Sequence, residues 1–214
     1  DARHSPEEFG GGLLRLFNTV DIFYSKPSGM VEAYQKLCPD TVVKCLPEGF
    51  DQTINKKEDI TEEDLQKYGC DVVFIGTKHP IYKTPRPYGR IGMMEYITKH
   101  KDFDLKFVAY DPPAQGTLIG EEHNKTCQCA KIVLGHCGWA DVELANSARD
   151  FRVTGSGGFL LTEHVKGIET LFEVGKEIDT YRTPQECIEK IQYYLKNDEE
   201  RNKIAEAGYL RSQR

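Results

Sequence analysis

The chain has 214 residues, 39% of them hydrophobic and 29% charged, with a formal net charge of −6. Such a composition belongs to an ordinary globular protein, long enough for one large or two small domains with a buried core. The acid excess argues against a general nucleic-acid or anionic-membrane binder, and no apolar run approaches the length of a membrane span. No basic-then-apolar leader opens the chain, which begins at Asp1 and so reads as processed or as part of a longer polypeptide. Seven cysteines at scattered positions suit a reducing compartment, where they act as small buried hydrophobes, so the cytoplasm is the expected location.

Residues 1–12 show no clear period and end in Gly10-Gly11-Gly12, read as a turn because no buried strand precedes them. A strand at Asp21–Ser25, a helix over Gly29–Leu37 and a strand at Thr41–Leu46 follow, and Pro47-Glu48-Gly49 ends this unit. Residues 1–51 are thus a short strand–helix–strand remnant, 52–69 a polar linker with a helix starting near Thr61, and 70–214 the main domain. In that domain strands are expected at Asp71–Gly76, Asp104–Tyr110, Lys131–Leu134, Phe159–Thr162 and Glu177–Tyr181. Helices alternate with them over Gly89–His100, Glu121–Ala130, Val142–Phe151 and Ile168–Phe172. Thr183-Pro184-Gln185-Glu186 supplies a cap, a first-turn proline and a capping-box acid for one terminal helix. Asn197 with Glu200 caps a second, which Gly208 is expected to stop. The fold class is therefore α/β, a doubly wound parallel sheet of Rossmann-like type.

Ligands of such sheets bind outside the carboxyl ends of the strands. Gly76 and Thr77, with Arg86 and Arg90 just beyond, suit a pyrophosphate at a helix N-terminus, against the plainer reading of a solvated basic loop. Tyr110 could stack on a base or wall the core, and Lys131 could face phosphate or solvent. The most glycine-rich junction is Gly155-Ser156-Gly157-Gly158, running into Phe159, Leu160, Leu161, Thr162 and Glu163, with Arg149 and Arg152 on the approach. Paired with Gly76, it is expected to clamp a nucleotide diphosphate, and Gly157→Val is expected to abolish binding without unfolding the chain.

The run R-D-F-R-V-T-G-S-G-G-F-L-L-T-E, then L-F-E-V-G-K-E-I and N-D-E-E-R-N-K-I-A-E-A-G, resembles the glycosyl-transferase domain of spore-maturation-type proteins. Upstream, L-P-E-G-F-D and D-V-V-F-I-G-T resemble the hinge and first strand of the donor domain in group 1-like glycosyltransferases of the GT-B fold. The resemblance covers most of residues 40–211. It implies the C-terminal, donor-binding half of an enzyme moving a sugar from a UDP-, GDP- or dTDP-sugar to a glycan, lipid or protein hydroxyl. Where the family commonly has Phe-Glu, this chain has Phe151-Arg152, and an arginine cannot accept from ribose hydroxyls. Either Glu163 takes that role, or Arg152 contacts phosphate, or donor binding is impaired. The short N-terminal unit leaves the catalytic residue unassigned and keeps a non-catalytic sugar-nucleotide-binding module as the alternative.

No acidic metal-ligand motif is evident, so transfer is expected to proceed without a metal ion. His123, Cys127, Cys129, His136 and Cys137 are close in sequence but poorly spaced for zinc, and buried cysteine is the default. A dinucleotide enzyme is disfavoured because F-I-G-T-K-H-P is not a G-x-G-x-x-G turn.

Overall fold

The structure is a computed structural model that describes Phe17 and residues 19–77, 89–108 and 118–214. The first unit pairs β1 (Ile22–Ser25) with β2 (Val42–Cys45) in parallel, Ile22 opposite Val42, joined through α1 (Val31–Leu37). Phe17, Phe23 and Tyr34 pack into an aromatic cluster with ring centroids 4.2–5.8 Å apart. Gln35 fixes the return to β2, donating to the carbonyls of Cys38 and Thr41 and accepting from Val43 N–H.

Residues 51–60 cross to the main sheet held by side-chain amides. Asn124 donates to the Ile54 carbonyl and to Glu58, while Gln128 exchanges hydrogen bonds with the Glu58 backbone. The following helix, α2 (Glu62–Tyr68), starts on a capping box between Thr61 and Asp64, which satisfies two otherwise orphaned N–H groups.

The main sheet contains β3 (Cys70–Ile75), β4 (Leu105–Val108), β5 (Ala130–Leu134), β6 (Leu160–Glu163) and β7 (Asp179–Tyr181), every pair parallel, in the order β4-β3-β5-β6-β7. Val72, Val73 and Phe74 of β3, an interior strand, are fully buried, as expected for a strand covered on both faces. Alternation sends Val72, Phe74, Ile132, Leu134 and Leu161 toward α3 (Arg90–His100) and α6 (Pro184–Lys196). Val73, Val133 and Leu160 meet Cys127 of α4 (Glu121–Cys129) and Val153 of α5 (Ala148–Gly155). The expected doubly wound α/β architecture is what the chain adopts.

The larger departures from expectation lie in three helices. The helix expected from Val142 begins at Ala148, capped by the Ser147 hydroxyl; Leu144, at φ +53, could not belong to a right-handed helix. The expected helix at 168–172 is a single 3-10 turn, Ile168–Thr170. Gly208 does not stop the last helix, α7 (Asp198–Ser212); it sits against the Glu177 carbonyl, which an added Cβ would approach to 2.2 Å.

Candidate functional site

The order β4-β3-β5-β6-β7 reverses direction at β3 and β5. Outside the carboxyl ends of those two strands the flanking connections diverge, leaving a crevice. Gly76 and Thr77 leave β3 at this edge, and Gly135, His136 and Cys137 leave β5. Two helices begin beside it: α3 with Arg90 as its first residue and α5 with Arg149 as its second.

Arg149 spans the crevice. Its Nε and Nη2 donate to the Ile75 carbonyl at 3.2 and 3.0 Å, and its Nη1 donates to the His136 carbonyl at 3.3 Å. Arg90, 7% exposed, donates to the Thr77 carbonyl at 3.1 Å and to the same His136 carbonyl at 3.4 Å. Both guanidinium groups lie against the Phe74 ring, at 5.2 Å for Arg149 and 5.8 Å for Arg90. Burial first, and the neighbouring Arg90 second, hold the Arg149 pKa below its ordinary value. Two positive charges, one buried and one half-buried, lie beside two helix N-termini, a chemistry that suits an anion. A Cβ at Gly76 would come within 2.8 Å of Arg149 Nη2, so a side chain there would displace the guanidinium from the Ile75 carbonyl.

Next to the arginines lies a carboxylate. Glu163, at the end of β6, is buried and accepts from Cys137 N–H at 3.1 Å, with His136 Nε2 3.6 Å away. Tyr181 at the end of β7 donates its hydroxyl to the Gly135 carbonyl at 2.7 Å and fixes the β5 terminus. His136, Glu163, His164, Lys166 and Arg182 line a cavity of ≈ 380 Å³ there. Beneath it the Asp150 carboxyl, which accepts from Thr162 at 3.4 Å, is pushed up by burial to about 6.

Of the residues expected at the site, Gly76, Thr77, Arg90, Arg149 and Glu163 come together at this edge, with Thr162 behind them on Asp150. Arg86 and Tyr110 lie outside the described residues. The glycine junction does not meet Gly76. Gly155, Gly157 and Gly158 precede β6, at the opposite end of the parallel sheet from the end β3 leaves by Gly76, so the expected clamp between the two turns is corrected. Their physical role is helix termination. Gly157 has φ +80, Gly158 N–H reaches the Val153 carbonyl, and Gly157 N–H reaches the Thr154 carbonyl, the Schellman arrangement. Phe159 and Leu160 are core, with the Phe159 ring tilted against Tyr194 at 4.6 Å between centroids. Lys131 stands at that far end too, paired with Asp71 at 2.8 Å. Arg152 is exposed on α5, facing an open cavity of ≈ 1100 Å³ with Phe50, Asp51 and His123.

Sequence reading weighed His136 only as a poorly spaced zinc ligand and gave Tyr181 no role at the site. The signal for His136 was available: it follows a buried strand at its carboxyl end, as Gly76 does. Among the described residues no three of His, Cys, Asp and Glu gather to hold a metal. His123 and Cys127 face each other at 3.7 Å on α4, whereas Cys137 donates to the Ala145 carbonyl. All seven cysteines are unpaired. No helix among the described residues is long and apolar enough to cross a membrane.

A five-stranded parallel sheet flanked by helices, with two arginines at its switch point, defines a Rossmann-like domain. Residues 90–214 match the family described as glycosyl transferase-like, and the chain belongs to that family. Among the curated proteins none matches. Among solved structures the chain resembles HepE of Anabaena in complex with UDP-glucose, with TM-score 0.69 and 14% identity over 100% of this chain and 66% of that one. It also resembles a glycosyltransferase of Rickettsia africae (0.67, 10%, covering 95% and 62%). Sucrose-phosphate synthase of Thermosynechococcus elongatus is a third (0.60, 12%, covering 94% and 55%). At these identities the likeness is one of fold, the GT-B type expected, and the chain spans 55–66% of the length of the three.

Proposed function

We propose that this chain is the donor-binding part of a glycosyltransferase that moves a sugar from a nucleoside diphosphate sugar to a hydroxyl acceptor without a metal ion. One observation carries the reading: Arg90 and Arg149 converge on the His136 carbonyl at the switch point of the sheet. Family membership supports it, as do the Anabaena HepE structures with UDP-glucose and with UDP and glucose.

In that reading the diphosphate lies over Gly76 and Thr77. Cleaving the bond between the anomeric carbon and the diphosphate oxygen leaves an additional negative charge on the leaving group. The two guanidinium groups are already held in place by backbone carbonyls, so they stabilise that charge with little reorganisation. Glu163 and His136 sit beside the arginines, where hydroxyls of the donor would need acceptors. The unpaired cysteines accord with a cytoplasmic location.

A binding module without turnover is the second reading, favoured by Arg152, which replaces the expected acid with a group that only donates. Thermal-shift measurements with UDP, GDP, dTDP and CMP test the shared premise, because a ligand of the native state raises its apparent stability. The best ligand then enters a donor-hydrolysis assay. Hydrolysis supports the enzyme, binding without hydrolysis supports the module, and no shift with any nucleotide overturns both.

A further inference from the structure

A second cavity, ≈ 350 Å³, lies between the N-terminal unit and the carboxyl edge of the main sheet. Lys26, Met30 and Tyr34 form one wall, and Arg90, His136, Trp139 and Asn146 belong to the other. Asn146 is 0% exposed, and neither its Oδ1 nor its Nδ2 has a hydrogen-bond partner among the described residues. A buried primary amide left unsatisfied is expensive, and native proteins keep few of them. Its neighbours are satisfied: the Ser147 hydroxyl accepts from Arg149 N–H and the Cys137 thiol donates to the Ala145 carbonyl. Leu144, two residues earlier, holds the strained φ of +53. Two local costs therefore fall in one short loop on the wall of one cavity, and such costs collect where a ligand repays them.

The chemistry of the amide narrows the ligand. A phosphate offers only acceptors and would leave Oδ1 unsatisfied, whereas a hydroxyl donates to Oδ1 and accepts from Nδ2. Arg90 belongs to this wall and to the paired cations, so a sugar attached to a diphosphate held there extends into this cavity. Trp139, half-buried in the same wall, offers an apolar face to the ring carbons. We propose that Asn146 binds a hydroxyl of the donor sugar, in the cavity bounded by Lys26, Arg90 and Trp139. The proposal rests on the donor-binding reading above.

Asn146→Leu separates this role from a structural one. Calorimetry is run on the wild type and the variant with three matched pairs: UDP and UDP-glucose, GDP and GDP-mannose, dTDP and dTDP-glucose. In whichever pair binds, the variant is expected to lose about tenfold in affinity for the nucleotide sugar and to keep that for the nucleotide within twofold. Its ligand-free melting temperature is expected to rise, because an unsatisfied polar group is replaced by an apolar one of similar size. Asn146→Ala, which removes both amide atoms without adding a charge, gives the same comparison if the leucine variant does not fold. Equal loss for nucleotide and nucleotide sugar would overturn the proposal and place Asn146 at the diphosphate. An unchanged affinity ratio, or a lowered melting temperature without any change in that ratio, would overturn it in favour of packing alone. If no pair binds the wild type, the donor-binding reading itself falls and takes the proposal with it.

Discussion

The guanidinium groups of Arg90 and Arg149 share a single acceptor, the His136 carbonyl, at 3.4 and 3.3 Å. Like charges held this close repel, so the arrangement is most stable with an anion between them. The two arginines are nevertheless built differently. Arg149 spends all three nitrogens on the ends of β3 and β5, whereas Arg90 reaches in from the first residue of α3.

Arg90→Gln is therefore expected to weaken nucleoside diphosphate binding at least tenfold while keeping the fold, read by calorimetry beside a thermal melt. Arg149→Met is expected to cost about 2–4 kcal/mol of stability, since it strips charge-assisted hydrogen bonds from two strand-end carbonyls. Equal melting temperatures for the two variants would contradict this division of labour.

Gly157→Ala tests the reassigned glycine turn. At φ +80 an alanine costs about 1 kcal/mol or more, and its Cβ would approach the Lys57 side chain to 2.7 Å. The variant should melt several degrees lower yet bind nucleotide with unchanged affinity, the opposite of a phosphate-loop residue. A specific loss of affinity at unaltered stability would return this turn to the site.

Two buried groups give opposite pH dependences that conceal one another. Burial raises Asp150 to about 6, so its contribution to stability is full below its unfolded pKa near 3.8 and is lost as pH rises through 6. Burial, with Arg152 second, lowers His123 from 6.5 to about 4, so its contribution is full above 6.5 and is lost as pH falls through 4. Asp150→Asn should expose the histidine, making stability fall between pH 6.5 and 4. His123→Gln should expose the aspartate, making stability rise over the same interval. Denaturant midpoints at pH 4, 5, 6 and 7 report both slopes, and parallel profiles for the two variants would refute the pairing.

Metal independence has a direct check. With charge stabilisation assigned to Arg90 and Arg149, donor hydrolysis should survive excess chelator with little change in rate. Loss of turnover on chelation, restored by a divalent ion, would transfer that role to a metal.

Much of the architecture was legible in order along the chain because it rests on local chemistry. Apolar runs such as Asp71–Gly76 and Lys131–Leu134 and the Thr183-Pro184 cap are short-range signals, and they place strands and helices to within a residue or two. The alternation they produce dictates a parallel sheet covered on both faces. Arg90 and Glu163 were legible for the same reason, since each follows directly from a strand or helix end. The glycine junction was not, because glycine serves a helix C-cap and a phosphate loop through the same freedom at positive φ, and only the direction of β6 says which end of the sheet it occupies. Sequence alone determined the order of elements and, to within a residue or two, where most strands end. The tertiary structure decided which ends share a face of the sheet, bringing Arg149 onto the carbonyls of Ile75 and His136 and leaving Asn146 buried without a partner among the described residues, since such contacts join residues that no local rule relates.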